Sequence, residues 1–272
     1  MVEVYGWNPV RPRFRGPIGR RIPIKRAVNN FGDLIGPLVV RLLLERRGVR
    51  ESAGSGRRLL SVGSVLHFAH DGDTVWGSGV NGKALENQYR WSTLDVRAVR
   101  GPRTRDFLVS HGVDCPEVYG DPALLLPELM VQLRSWADEP KRHGVTIVPN
   151  FNDLPTVRLR RREVLDPRSP LMQCLERIAR SELVVGSSLH ALIVAESVGV
   201  PARAVRSGTE PELKYRDYYE GTGRSGVEMA ATPSMAIEMG GQALPHWDCQ
   251  PLLDAFPYDL WSAGSANGTE YG

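Results

Sequence analysis

The run Leu183-Val184-Val185-Gly186-Ser187-Ser188-Leu189-His190, continued to Gly199 and then Pro201 to Val205, constrains this 272-residue chain most. Leu183 to Val185 is apolar, too short for a helix and bounded by Gly186 and two serines, which predicts a buried strand. From His190 onward Leu192, Ile193, Ala195 and Val198 recur at helical spacing until Gly199 and Pro201 end the pattern. A strand, a polar turn, a helix and a second strand make a crossover unit, so the chain is committed to an α/β fold. Ligands gather at the carboxyl ends of the strands in such units. Ser187, Ser188 and His190 fall there, beside a helix N-terminus whose free N–H groups favour an anion. The two serines would equally serve as helix caps, and spacing alone leaves both readings open.

The rest of the chain repeats the alternation. Val2 to Trp7 predicts an opening strand, and a helix is expected from about Pro37 to Arg47, since proline fits only a first turn. Asn30 and Asp33 then lie in its entry loop, to bond a sugar hydroxyl or to cap the helix. Strands follow at Leu59 to Val62, Thr74 to Trp76, Val96 to Val99 and Val118-Tyr119. Gly77-Ser78-Gly79 ends one of them, with small residues that let a backbone approach a ligand. Arg100 and Arg103 follow another, where a guanidinium fork can hold a phosphate or carboxylate. The second half offers strands at Val145 to Val148 and within Val157 to Leu165, then a helix from about Leu171 to Arg180. Lys214 to Glu220 is polar, rich in tyrosine and not clearly periodic. Together these elements predict parallel, doubly wound sheets in two α/β halves, residues 1–126 and 127–258, with the strand ends of both facing a cleft. Residues 259–272, small and polar, read as a disordered tail.

Cys115, Cys174 and Cys249 share no metal-type spacing, and His67, His70, Asp71 and Asp73 read as a surface loop, so no metal site is expected. The absence of a leader pattern points to a reducing, cytoplasmic setting. The richest apolar run, Leu34 to Leu44, is interrupted by Gly36, Pro37 and Arg41 and is too short to span a bilayer. The net charge of +3 hides a local block: Arg11, Arg13, Arg15, Arg20, Arg21, Lys25 and Arg26 with no acid among them. Such a block suits the phosphates of a substrate or a membrane surface, and otherwise is a solvated loop. No nucleic-acid module accompanies it, so no nucleic-acid partner is expected.

Five segments, in order over residues 29–220, resemble the polysaccharide pyruvyltransferase family. They are Asn30-Phe31-Gly32-Asp33, Arg97-Ala98-Val99-Arg100-Gly101-Pro102 with Thr104, Tyr119-Gly120-Asp121-Pro122-Ala123, Ser187-Ser188-Leu189-His190 and Lys214-Tyr215-Arg216-Asp217-Tyr218-Tyr219. The resemblance implies two Rossmann-like halves similar to the GT-B glycosyltransferase architecture, the first on the acceptor side and the second on the donor side, with the active site between them. It implies transfer of pyruvate from phosphoenolpyruvate to two hydroxyls of a sugar as a ketal, with no cofactor and no metal.

His190 is then the general acid that protonates the methylene carbon, a task suited to a group titrating near neutrality. Arg100 binds the donor and stabilises charge on the departing phosphate. Some family members have an arginine two residues before that histidine. Ser188 stands there in this chain, so Lys214 and Arg103 are expected to supply the cation. Ser187, Ser188 and Leu189 complete the donor set. Asn30, Asp33, Gly77, Ser78 and Asp121 form the acceptor set, with Asp33 or Asp121 as base unless Asp121 only steadies its turn.

The acceptor would be a sugar or lipid-linked oligosaccharide, a precursor of an exopolysaccharide or cell-wall polysaccharide, met at the inner face of the membrane through the basic block. Two other classes fit less of the pattern. One is a GT-B glycosyltransferase that uses a nucleotide sugar, with Glu196 on the ribose; the other is a non-catalytic sugar- or anion-binding module.

Overall fold

In the computed structural model, which describes residues 2–12, 24–49, 56–84, 86–157 and 162–262, the chain opens with strand β1 (Glu3–Tyr5). An antiparallel ribbon of β2 (Val10–Pro12) and β3 (Lys25–Ala27) leads into helix α1 (Phe31–Arg46). Then come β4 (Arg58–Leu60), β5 (Thr74–Trp76) and β6 (Asp95–Ala98), which complete a parallel sheet in the order β1-β4-β5-β6. Helices α2 (Pro102–Ser110), α3 (Leu126–Leu129) and α4 (Val131–Asp138) lead to a second parallel sheet. It consists of β7 (His143–Ile147), crossover helix α5 (Leu171–Ala179), β8 (Ser181–Gly186), crossover helix α6 (Leu189–Ser197) and β9 (Ala202–Ala204). Helices α7 (Leu213–Gly221), α8 (Pro233–Met239) and α9 (Gln250–Asp254) close the fold. The α/β class with parallel sheets is thus as the sequence indicates.

Helix α6 is buried nearly all round, which explains its uniformly apolar sequence. It packs on β8, on α5 and on the single turn Pro122–Leu125 of the first half. One hydrophobic cluster joins α1, α6 and α7 with Trp76 and Trp261, and so runs through both sheets. Helix α7 docks on the junction of β6 and α2 through two glycines. A side-chain carbon at Gly101 would run into the Asp217 carbonyl, and one at Gly221 into the Arg100 carbonyl.

Several elements depart from expectation. Helix α1 begins at Phe31, so Asp33 is in its first turn and Pro37 lies inside it. Burial of Phe31, Ile35 and Val39 along one face outweighs the hydrogen bond that a proline forgoes. Residues 213–221 are helical because Tyr215, Tyr218 and Tyr219 are all core residues with bonded hydroxyls. Tyr119 makes only an isolated bridge with Val99, and Val164 one with Ile147; residues 158–161 of that expected strand lie outside the described residues. The expected tail is partly core: Leu260 and Trp261 are buried, with Trp261 stacked on Phe256 at 5.6 Å. Residues 263–272, and residues 13–23 of the basic block, lie outside the described residues.

Candidate functional site

The carboxyl ends of seven strands open onto one cavity of about 270 Å³. Trp7 follows β1, Ser64 to Phe68 follow β4, Asn81 and Lys83 follow β5, and Arg100 follows β6. From the second sheet, Asn150 to Asn152 follow β7, Ser188 to His190 follow β8, and Glu210 and Lys214 follow β9. Asn30 and Asp33 reach it from the start of α1. Strand termini converge here because both sheets are parallel and their crossovers return on the far side.

His190 sits in the first turn of α6 with its side chain 15% exposed. Its Nε2 is buried without a hydrogen-bond partner and faces Asp121 Oδ2 at 3.9 Å. Burial, with Lys214 and Arg100 adding repulsion, pushes the imidazole down to about 3, so it is neutral at physiological pH. The rim cations are held by carboxylates. Arg100 is buried and donates Nε to Asp217 at 3.0 Å and Nη1 to Ser64 at 2.8 Å, while Asp217 also accepts from Thr104. Glu210 is shared by Lys214, at 3.2 Å, and Lys83. Two lysines on one carboxylate leave a surplus positive charge facing the cavity.

Two carboxyl groups are raised instead. Asp33 accepts from Asn30 Nδ2 at 2.6 Å, yet burial lifts it to about 6. Asp121, wholly buried, is also lifted to about 6 by burial. Both therefore titrate near neutrality, where a carboxylate can exchange protons. Among the described residues no three His, Cys, Asp or Glu side chains gather as metal ligands.

The structure brings together Asn30, Asp33, Arg100, Ser188, Leu189, His190 and Lys214. It does not bring in the others. Arg103 points to solvent, where it forms a bidentate pair with Glu220 at 2.8 and 2.7 Å, because the helix turns it away while Thr104 faces inward. Gly77 turns with φ +85° against Pro122, and Ser78 is buried and donates to the Gly63 carbonyl at 3.0 Å. Both form the floor behind Arg100. Asp121 also lies behind the wall, with Oδ1 accepting the Ala123 N–H. Ser187 is framework: its hydroxyl donates to Asp153 at 2.6 Å and accepts the Asn150 N–H.

Sequence reasoning missed Lys83, Asn81, Ser64, Asn150, Asn152, Glu210 and the His67 edge of the cavity. Their common signal is position just after a predicted strand, a cue too general to single them out. Glu196, the one carboxylate offered for a ribose, is sealed in the core. It accepts from Tyr218 at 2.6 Å and from both terminal nitrogens of Arg224 at 2.9 and 3.0 Å.

Residues 74–208 match the family model for polysaccharide pyruvyl transferase. That span carries Arg100, Asp121 and His190, whereas Asp33 and Lys214 lie outside it. The succinoglycan biosynthesis protein ExoV of Rhizobium meliloti is 30% identical over 207 residues, covering 71% of this chain and 62% of that protein. The chain therefore spans less than two thirds of that relative's length. An uncharacterized protein of Acanthamoeba polyphaga mimivirus is 23% identical over 209 residues, 70% of this chain and 69% of its own length. Among solved structures, a functional uncharacterized protein of Klebsiella pneumoniae aligns with a TM-score of 0.43 and 12% identity, over 75% of this chain and 89% of the other.

Proposed function

Residues 74–208 carry a polysaccharide pyruvyl transferase domain, and on that premise we propose that the chain transfers pyruvate from phosphoenolpyruvate to two hydroxyls of a sugar in an exopolysaccharide precursor. The observation that carries this reading is His190 at the wall of a cavity lined by Arg100, Lys83 and Lys214 and faced by the Asp33 carboxyl. The donor offers a phosphate and a carboxylate, and the surplus charge of the two lysines suits the first. Arg100, fixed by Asp217 and Ser64, suits the second without reorganisation.

In this mechanism donor anions docking on Lys214 and Arg100 cancel the repulsion from those cations, and their negative charge beside the ring offsets the burial that keeps His190 neutral. The imidazole takes up a proton and passes it to the methylene carbon of the donor. One sugar hydroxyl adds to the central carbon, its proton going to Asp33. The carbon–oxygen bond to phosphate breaks, and the second hydroxyl closes the ketal ring, its proton passing to the phosphate, which leaves as inorganic phosphate. Atoms and charge balance with no further reactant.

The two sheets would correspond to the halves of a GT-B-like transferase, residues 1–126 turned to the acceptor and 127–258 to the donor. No helix among the described residues is long and apolar enough to cross a membrane. We take the basic block of residues 11–26 as the contact with a lipid-linked acceptor at a cytoplasmic membrane face. Vesicle binding unchanged after neutralising those charges would remove that part. The nucleotide-sugar reading has lost its ribose carboxylate, because Glu196 is fully engaged.

The decisive experiment is phosphate release from phosphoenolpyruvate with a panel of β-galactosides, glucosides and mannosides. Acceptor-dependent release is expected, and His190→Ala should lower it by about 10²–10⁴-fold. Release unaffected by that substitution would overturn the mechanism. Thermal stabilisation by a nucleoside diphosphate, with none by phosphoenolpyruvate, would overturn the donor.

A further inference from the structure

The acceptor and donor groups account for the cavity, but they leave an unexplained pair behind its wall. Asp121 Oδ2 and His190 Nε2 are both buried, neither has a hydrogen-bond partner, and they face one another at 3.9 Å. An unpaired buried polar atom is costly, and two of them in opposition are a designed arrangement rather than a packing accident. The gap is too long for a hydrogen bond. It is also too short for a bridging water, which needs a span of roughly 4.5–5.5 Å. Each atom has only the other to bond, and a small rotation of the imidazole closes the distance.

The surroundings fix which of the two moves. Asp121 Oδ1 is tied to the Ala123 N–H at 3.0 Å in the turn Pro122–Leu125, so the carboxyl cannot rotate. That turn packs directly on α6, the helix that carries His190. On the other side of the ring, Nδ1 lies against Gly32, where the lack of a side chain leaves it room.

The geometry points to Asp121 as the positioning residue for His190: its carboxylate receives Nε2–H, fixes the tautomer, and leaves Nδ1 as the atom that carries the transferred proton. This rests on the pyruvyl-transfer reading for the identity of the proton acceptor, but not for the pairing itself. In the step, a proton arrives at Nδ1 as the donor anion docks and leaves to the methylene carbon. Nε2–H stays with Asp121 throughout, and Asp121 gains no proton. Its negative charge stabilises the imidazolium while that exists, as a buried carboxylate does for the histidine of a hydrolase triad.

The charges facing the pair are Arg100 from the end of β6, Lys214 and Asp217 from α7, and Asp33 from α1. Arg100 favours an ionised Asp121, where Asp217 opposes it, and Arg100 and Lys214 together favour a neutral histidine before the donor docks. Burial still leaves the Asp121 carboxyl at about 6, so the pairing is lost as the pH falls through that value.

The test combines kinetics with a measurement that needs no turnover. Nitrogen-15 NMR of the full chain, with the His190 signals assigned by loss in His190→Gln, reports the tautomer directly. The wild type should hold Nε2–H at pH 7.5, and Asp121→Asn should let the Nδ1–H form appear. The amide side chain of that variant keeps an oxygen for the Ala123 N–H, so the turn survives. In turnover with phosphoenolpyruvate, Asp121→Asn should lower kcat by about 10²-fold or more with little change in the donor KM, while the acid limb near pH 6 remains because Asp33 titrates there as well. A wild-type Nδ1–H tautomer, or an Asp121→Asn variant that keeps both the wild-type tautomer and the wild-type kcat, would overturn the proposal. If Asp121→Asn fails to fold, the wild-type tautomer decides alone. If the wild type releases no phosphate with any glycoside, the reaction reading fails while the NMR result still settles the pair.

Discussion

Gly32 lies against the imidazole of His190 so closely that a side-chain carbon at position 32 would meet Nδ1 and Cγ of the ring. Alanine ordinarily stabilises a helix by about 1 kcal/mol over glycine, whereas overpacking costs about 1–3 kcal/mol. The two effects oppose each other, so Gly32→Ala should shift stability little while displacing the ring. Activity is expected to fall by about 10²-fold or more, with the melting temperature within a few degrees. Gly36, one turn on, would first meet Ser61 and Val62 rather than the imidazole, so Gly36→Ala serves as the packing control and should keep its activity. Equal activity in the two variants would mean that ring placement is not critical.

Asp33 sets stability against activity. Burial first, and then Glu210 against Asn30 and Lys214, raises its folded pKa from 3.8 to about 6. The folded state therefore binds this proton more tightly than the unfolded chain does. The resulting stability is present below pH 4 and is lost as the pH rises through 6. Asparagine at this position cannot ionise and escapes that loss. Asp33→Asn should match the wild type in melting temperature at pH 4 and exceed it at pH 7.5, by about 1–2 kcal/mol once exposure to the cavity is discounted. Its turnover at pH 7.5 should fall. Thermal melts at the two pH values check the sign, and a constant difference would show that Asp33 does not titrate in this range.

What can be read in advance follows from which forces act locally. The run from Leu183 to Val205 is legible because a short apolar strand and a buried helix each leave a hydrophobic signature bounded by glycine and proline. The local preference of Pro37 puts the start of α1 six residues late, and the packing of Phe31 and Ile35 that overrides it is a tertiary fact. Helix α7 escapes because its core face is tyrosine, polar by composition and apolar only once each hydroxyl finds Ser187 or Glu196. His190, Lys214 and Asp33 can be named from motifs, but Lys83 and Glu210 are single loop residues whose pairing exists only in three dimensions. Arg103 shows the converse. A cation three residues from Arg100 invites the same role, and the helical turn between them sends it to solvent.

Glu196 belongs to the frame that holds α6 against α7. Its carboxylate is inaccessible, takes a bidentate guanidinium from Arg224 and accepts two tyrosine hydroxyls. Glu196→Ala would strand Arg224, Tyr218 and Tyr219 in the core, a loss expected to cost about 3–5 kcal/mol. Urea unfolding should register it as a lower midpoint. A Glu196→Ala variant as stable as the wild type, but unable to bind a nucleoside diphosphate that the wild type binds, would restore the nucleotide-sugar reading.

Lys214 and Arg103 are equal candidates for the second donor cation in the sequence, and the fold separates them. Lys214 lies in the cavity, with burial drawing its pKa down and Glu210 holding it charged. Arg103 is 41% exposed and spends its fork on Glu220. An exposed pair of this kind contributes only about 0–1 kcal/mol, so Arg103→Met should leave both stability and donor affinity close to wild type. If the donor docks as proposed, Lys214→Met removes a charge-assisted contact from a site screened from water, worth about 1.5–3 kcal/mol. It should therefore raise the dissociation constant for phosphoenolpyruvate by about 10- to 100-fold, read by calorimetry without any acceptor. It should also lift the burden on His190, since Lys214 is one of the charges that hold the imidazole neutral. The free-enzyme pKa of that histidine is thus expected to rise in Lys214→Met and to stay put in Arg103→Met. If Arg103→Met weakens the donor as much as Lys214→Met does, the donor sits outside the cavity described and the placement of its phosphate is wrong.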